Sequence, residues 1–383
     1  MYLLEHDAKE LLARHGLQVP AGKLVANAAA GASALPPGPW MVKGQITAGG
    51  RGKAGIIKKA ATAQELVDHI EAILGRVVKG RRVDAVRIEQ QIAGGREAYL
   101  GLLLDPAAGG VRVIMAAEGG MDIEALPHDK IHTAVAAPDV TALTACVKKL
   151  AAELPAPFAA ALAAAGENLA QQFIESEALL IEINPMFVKA DGSWVAGDAK
   201  YVTDDSALPR QDEIRALLEQ RAVAYPEAAL KHLHGCDYVV VDPEGEIGLL
   251  TTGAGLSMML VDEMRAAGLK PYNFLDVRTG GLRGETTRLV QVLNWIHQGP
   301  NIRVMLINIF AGITELGEFS QLLVQALHEV PALKVPVVAR LVGNGLPAAR
   351  EVLGAAGIAV YPDLDEALAE VRKHLATRER VNE

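Results

Sequence analysis

Hydrophobic positions change their period along this chain, and the change divides it in two. Leu3, Leu4, Ala8, Leu11 and Leu12 recur at helical spacing until Gly16 interrupts them, and Ala63 to Leu74 repeats that period. Trp40–Lys43, Val83–Glu89, Ala98–Leu104 and Val111–Ala116 read as strands. From Asp139 to Phe173 alanine dominates with Leu and Val interspersed, which predicts helices. Leu179–Phe187 and Ser193–Ala196 predict a hairpin closed at Asp191-Gly192.

The stretch 201–236 is charged and holds Pro209 and Pro226, the texture of a connecting arm. After it, strand-like runs at Tyr238–Val241, Ile247–Thr252, Val304–Phe310 and Pro336–Leu341 alternate with helical patterns at Leu256–Ala267, Glu285–His297, Phe319–His328 and Ala348–Ala356. A short run at Ile358–Tyr361 and a last helix at Asp365–Leu375 follow. Apolar strands alternating with helices predict a parallel sheet covered on both faces, a doubly wound α/β domain. The expected division is residues 1–225, a connecting segment 226–237 and the doubly wound domain 238–383.

At 383 residues the chain exceeds what one core usually supports, in agreement with that division. A formal charge of −9 argues against general nucleic-acid affinity. Cys146 and Cys236 form no CxxC or metal-like cluster, so a reducing cytoplasmic setting is expected. The opening residues lack the basic-then-apolar order of a secretory signal, and no apolar run nears the roughly 18 to 20 residues that span a bilayer.

Two groups of residues carry candidate chemistry in the first half. The loop Ala48-Gly49-Gly50-Arg51-Gly52-Lys53-Ala54-Gly55 offers backbone N–H groups and interleaved cations to a phosphate, though it is not a Walker A motif and also reads as a flexible turn. Glu182 and Asn184 alternate along one strand and so share a face, and Asp198 follows on the return of the hairpin beside Lys200. Oxygen ligands grouped this way suit Mg²⁺, which takes few protein ligands and adds phosphate oxygens. In the second half, the loops Thr252–Gly255, Asn273–Val277 and Asn308–Thr314 follow strands, where doubly wound sheets bind ligands. A helix starting near Glu315 would aim its N-terminus at the same edge, which favours an anion. Each of these loops alone also reads as a tight strand-to-helix turn.

Glu5, Ala8-Lys9, Val42-Lys43, the 48–55 loop, Glu89, Glu97–Gly101, Glu118–Glu124 and Ile181-Glu182-Ile183-Asn184-Pro185 follow one another in an order and spacing that resembles the β subunit of succinyl-CoA synthetase over essentially the whole chain. The resemblance implies an ATP-grasp domain followed by a flavodoxin-like, doubly wound CoA-ligase domain. It implies that Lys43, Gly50, Arg51 and Gly52 hold the phosphates of ATP, and that Glu89 and Glu97 sit at the nucleotide, with Glu89 at the base. Pro20 matches the position that distinguishes ATP-specific from GTP-specific members. Asn184 and Asp198 would bind Mg²⁺, with Glu182 close by, and Asn273, Gly312, Ile313 and Thr314 would contact the carboxylic acid. The implied reaction makes an acyl-CoA from acid, CoA and ATP through an acyl phosphate and a phosphohistidine. That histidine and the CoA site belong to a separate α subunit, and none of the ten histidines here stands in the Gly-His-Ala-Gly setting it requires.

Two departures fall near the acid site. Arg278 and Arg283 add positive charge and Thr314 adds a hydroxyl, which suits an acid with a further oxygen, such as malate, another hydroxyacid or a sulfonated acid. Glu315 suits the helix dipole but opposes an incoming phosphate. The alternatives are an ATP-grasp carboxylate–amine ligase and a non-catalytic nucleotide-binding assembly subunit.

Overall fold

Two compact units make up the chain, one spanning Met1–Tyr225 and the other beginning at Pro226. The structure, a computed structural model, describes residues 1–28, 35–278, 284–312 and 314–379. Ile313 and the run 279–283, which includes Arg283, lie outside the described residues.

The first unit opens with α1 (Glu5–Arg14), followed by β1 (Gly22–Val25), β2 (Trp40–Gly44), β3 (Ile57–Ala60) and α2 (Ala63–Ile73). A two-residue ribbon, β4 (Val77–Val78) with β5 (Arg81–Arg82), leads to β6 (Val86–Gln90). Strands β1, β6, β2 and β3 form an antiparallel sheet in that order. Leu66, Ile70 and Ile73 of α2 pack on Val42, Val86 and Ile88. Thr62 caps α2 by accepting from the Glu65 N–H, which sets its start.

The second sheet is built from β7 (Arg96–Asp105), β8 (Gly110–Ala116), β9 (His132–Ala136), β10 (Ala178–Val188), β11 (Trp194–Ala196) and β12 (Lys200–Thr203). Between β9 and β10 the alanine-rich stretch forms α3 (Val140–Ala151) and α4 (Phe158–Glu175), and α5 (Asp212–Gln220) follows β12. Strands β10 and β11 are the hairpin that the sequence predicts.

The second unit contains α6 (Pro226–His234), β13 (Asp237–Val240), β14 (Ile247–Thr251), α7 (Ala254–Ala266), β15 (Asn273–Asp276), α8 (Thr287–His297), β16 (Val304–Ala311) and α9 (Leu316–Glu329). It ends with β17 (Val337–Gly343), α10 (Leu346–Ala355), β18 (Val360–Tyr361) and α11 (Leu364–Glu379). The stretch 226–237 thus holds α6 and the start of β13, and its Leu230 and Cys236 lie in this unit's core. Strands β14, β16, β17 and β18 are parallel. Met305, Ile307 and Ile309 of β16 face a core shared with α8 and α9, while Val304 and Leu306 face α7 and α11. Near-continuous apolar strands therefore bury both faces, as expected of a doubly wound sheet.

The edge beyond β14 departs from that regularity. The strand predicted at Tyr238–Val241 does not enter the parallel ladder; it pairs antiparallel with β15. Beside β14, the N–H of Tyr272 donates to the Ile247 carbonyl and that of Val277 to Thr251, bracketing β15 at both ends. Between those bonds the join is made by side chains. Asn273 binds both backbone groups of Leu249, and Thr251 and Ser257 donate their hydroxyls to the Leu275 carbonyl.

Candidate functional site

The apolar stripe of α1 buries Leu3, Leu4, Ala8, Leu11 and Leu12, but Glu5, His6, Asp7 and Lys9 of the same segment are buried as well. These polar groups survive burial because each meets an opposite charge or a hydrogen-bond partner. Lys9 donates to both Glu89 carboxylate oxygens at 2.8 and 3.1 Å, to the Gly197 carbonyl at 2.8 Å, and pairs with Glu5 at 2.8 Å. Lys43, at the buried end of β2, donates to Glu5 at 2.8 Å, to Glu89 at 2.7 Å and to the same Gly197 carbonyl at 2.6 Å. Arg51 leaves the glycine loop and turns inward, placing Nη1 on Glu5 at 2.5 Å and Nη2 on Asp198 at 2.6 Å. Arg87 closes the cluster, with Nε on Glu89 at 2.8 Å, Nη1 against His6 Nδ1 at 2.7 Å and Nη2 on the Pro20 carbonyl at 2.9 Å.

Three carboxylates, Glu5, Glu89 and Asp198, thus face four cations, Lys9, Lys43, Arg51 and Arg87. Burial pushes the Glu5 carboxyl up, but Arg51, Lys43 and Lys9 together carry it well below the usual range. Burial alone would lower Lys43, and Glu5 and Glu89 outweigh it and raise its pKa. Lys43 thus holds its proton in surroundings that would otherwise discharge it, whereas at Lys9 burial outweighs Glu5 and Glu89 and lowers the pKa.

The glycine loop is a compact turn between β2 and β3, with backbone bonds from Ala54 to Gly50, Gly55 to Gly52 and Ile56 to Arg51. Gly50 has φ +82°, a left-handed conformation that a side chain would strain. Gly50, Gly52 and Lys53 are exposed, and Lys53 reaches Asp122 in the 118–124 loop at 2.5 Å. Glu97, exposed on β7, lies against the same loop, where a Cβ on Gly120 would stand 2.0 Å from its Oε2.

Asn184 and Asp198 come together through strand register. Met186 pairs with Ala196 on one side and Glu182 with Lys200 on the other, in the same register, and the Gly197 N–H donates to the Pro185 carbonyl at 2.8 Å. Asn184 therefore stands across from Asp198. Asn184 accepts from the Gly120 N–H at 2.7 Å and donates to the Met121 carbonyl at 2.8 Å. Both hydrogen bonds to Asp198, from Arg51 and the Ala199 N–H, fall on Oδ1. Burial raises the pKa of Glu182 against the pull of Lys200 and a hydrogen bond from Tyr99. Hard oxygen donors on one short stretch of sheet, few in number, fit a cation that completes its shell with water and phosphate. Among the described residues no group of three or more His, Cys, Asp or Glu could hold a metal ion.

Other residues enter the site without a role there having been read from sequence. The Tyr2 ring lies under Lys200 Nζ at 5.8 Å, and burial pushes its hydroxyl up to about 12. Lys9, Arg87 and Tyr99 are likewise part of it. A residue ahead of the first helix carries no site signal of its own; its pairing with Val202, flanked by backbone bonds from Leu3 to Tyr201 and from Thr203 to Met1, brings it here. The side chain of Glu89, expected at the base, is buried and spent on three cations.

In the second unit the expected acid residues separate. Asn273, expected at the acid, is fully buried and uses both ends of its amide on Leu249, which joins β15 to β14. Arg278, expected to add positive charge near the acid, pairs with Asp237 at 2.6 Å. Gly312 is exposed and Thr314 half-buried at the end of β16. Glu315 caps α9, accepting from the Glu318 N–H at 2.6 Å, and packs against Gly345 at the start of α10. The Leu316 N–H donates to the Asn344 carbonyl at 3.0 Å, which ties the start of α9 to the turn before α10.

An ATP-grasp domain family matches residues 2–188 and a CoA-ligase family matches residues 250–373. The chain is 37% identical over 361 residues to the succinate–CoA ligase (ADP-forming) β subunit of Chloroflexus aurantiacus, covering 92% of this chain and 93% of that one. It is 35% identical over 360 residues to subunit β 2 of the same ligase from Archaeoglobus fulgidus, covering 92% of each. Among solved structures, ATP citrate lyase from Methanothrix soehngenii in complex with citrate and coenzyme A shares the fold, with a TM-score of 0.68 over 94% of this chain and 95% of that chain at 18% identity. No helix among the described residues is long and apolar enough to cross a membrane. The two domains in this order, and that identity over nearly the full length, establish that the chain belongs to the succinate–CoA ligase (ADP-forming) β-subunit family and is the β subunit of an ADP-forming acid–CoA ligase.

Proposed function

We propose that the first unit binds Mg²⁺-ATP, with Lys43 and the Gly50-Arg51-Gly52 turn at the phosphates and Asn184 and Asp198 at the metal. The observation that carries this reading is the placement of Asn184 across from Asp198 while Arg51 of the glycine loop already touches Asp198. Pro20 and Glu97 line the nucleotide, and Glu89 acts through its buried pairs with Lys43 and Lys9, keeping Lys43 charged. When bound, the metal offsets phosphate charge and holds the phosphate oxygens in one geometry. The chain's own cations then draw electron density from the γ-phosphoryl group as it leaves ADP.

The second unit takes the acid through Gly312, Ile313 and Thr314. The phosphoryl group ends on the acid's carboxylate, by way of a histidine of a CoA-binding α subunit. The CoA sulfur then attacks the acyl carbon, and inorganic phosphate leaves. The acid is succinate or a related dicarboxylic, hydroxy- or sulfo-substituted acid. The setting is cytoplasmic, which suits the two free cysteines.

The test is thioester formation from ATP, CoA and a panel of succinate, malate, itaconate and sulfoacetate, with this chain alone and with its α partner. Turnover only with the partner supports the proposal, and the preferred acid reports the role of Thr314. Mg²⁺-ATP binding without turnover of any acid would leave the first unit's role standing and remove that of the second.

A further inference from the structure

Arg51 belongs to an exposed glycine loop, yet its side chain retains only 8% exposure. Its two terminal nitrogens are divided between two carboxylates of different standing. Glu5 is nearly inaccessible and is fixed from the other side by Lys9 and Lys43. Asp198 keeps 29% exposure and meets Arg51 through Oδ1. One anchor of the guanidinium is therefore permanent, and the other lies at the accessible end of the cluster.

We infer that Arg51 couples the metal position to the phosphate position by exchanging partners: a divalent cation on Asp198 releases Nη2 of Arg51 for a phosphate oxygen. The inference rests on the nucleotide reading above and adds a function for the Arg51–Asp198 pair. Before exchange the cation and the carboxylate neutralise each other. Afterwards Asp198 neutralises part of the metal charge and Arg51 part of the phosphate charge, so neither is left unpaired in a poorly solvated place. Glu5 serves as the pivot, because Nη1 keeps its bond while Nη2 turns. Linkage makes the effect reciprocal: phosphate that draws Arg51 away leaves Asp198 ready for a cation. In the absence of metal the pair holds Arg51 back from the phosphate and weakens nucleotide binding.

The experiment is calorimetric titration of the full chain with ADP, once in EDTA and once in saturating Mg²⁺, for wild type, Asp198→Asn, Arg51→Gln and the double variant. Asp198→Asn is expected to bind metal-free ADP on the order of tenfold more tightly than wild type, the scale of one charge-assisted hydrogen bond released. It also loses the gain from Mg²⁺. In the Arg51→Gln background the Asp198→Asn gain disappears, because there is no guanidinium to release. Arg51→Lys, which keeps the charge but cannot span two carboxylates, shows a reduced Mg²⁺ gain while preserving a partner for Glu5 should the glutamine variant fold poorly. An Asp198→Asn gain that persists without Arg51 would mean simple relief of repulsion and would overturn the exchange. Unchanged metal-free affinity in Asp198→Asn would overturn it too. Failure of wild type to bind ADP under either condition removes the nucleotide reading itself.

Discussion

Asn273 holds Leu249 by both ends of its side-chain amide, Oδ1 accepting from the Leu249 N–H at 2.9 Å and Nδ2 donating to the Leu249 carbonyl at 2.8 Å. A side chain here does what a peptide group does elsewhere in a parallel ladder. It joins the antiparallel pair β13–β15 to the edge of β14 without disturbing the backbone pairing of β15 with β13. Asn273→Ala leaves two buried backbone groups unpaired, and the expected loss is about 2 to 4 kcal/mol in urea unfolding of the second unit. Unchanged stability with a raised KM for the acid would instead return Asn273 to the substrate site.

Lys9 is fully buried between Glu5 and Glu89 and never reaches the surface. Lys9→Met keeps the volume and removes the charge, leaving the two carboxylates with a share of Lys43, Arg51 and Arg87. The expected destabilisation is about 3 kcal/mol, the scale for breaking a buried pair from one side. Denaturant titration of the variant checks it, and a loss under 1 kcal/mol would show that the remaining cations suffice.

His6 gives the first unit a pH dependence above the range of its carboxylates. Nδ1 accepts from Arg87, and burial first, then Arg87 and Arg221, push the imidazole down to about 3, against a weaker pull from Glu5. The folded state therefore holds His6 neutral while the unfolded chain protonates it near pH 6.5. Stability from this group is complete above about pH 6.5 and declines as pH falls toward 3, by about 1.4 kcal/mol per unit. Glu5, held well below the carboxylate range, loses its contribution only at lower pH. Urea midpoints between pH 7.5 and 5.5 should fall in wild type and flatten in His6→Gln, whose side chain can still accept from Arg87.

Glu315 and Gly345 should prove coupled. Gly345 has φ +77°, and a Cβ there would stand 1.5 Å from Glu315 Oε1, so Gly345→Ala must displace the carboxylate that caps α9. Glu315→Ala should cost about 1 kcal/mol as a lost cap, and Gly345→Ala more, since backbone strain is added. In a double-mutant cycle the two losses should fall short of additive, because both remove the same cap. Additive losses would show that the carboxylate relocates without penalty.

Much of the architecture was legible in the sequence. Strands of β-branched and aliphatic residues alternating with helical spacing report burial on both faces, and the parallel sheet β14–β16–β17–β18 follows from that. The hairpin β10–β11 was legible from Asp191-Gly192 and the apolar runs beside it. The site was less legible. Glu5, His6 and Lys9 sit on a helix whose apolar stripe already accounts for its burial, so nothing in the periodicity signals that its polar side is buried too.

What the sequence determined by itself was therefore what depends on neighbours in the chain: the period of each element, the glycine turn at 48–55, and the placing of Glu182 and Asn184 on one strand. What only tertiary structure decided was the pairing of charges distant in the chain. Arg51 is close to Lys53 in sequence, yet it turns to Glu5 and Asp198 while Lys53 turns outward to Asp122. Asn273 falls in a run that by sequence fits a ligand loop, yet it opens β15 and serves the sheet. The reason is common to both. A polar side chain removed from water must find a partner, and which partner lies within 3 Å is set by elements brought together from distant parts of the chain.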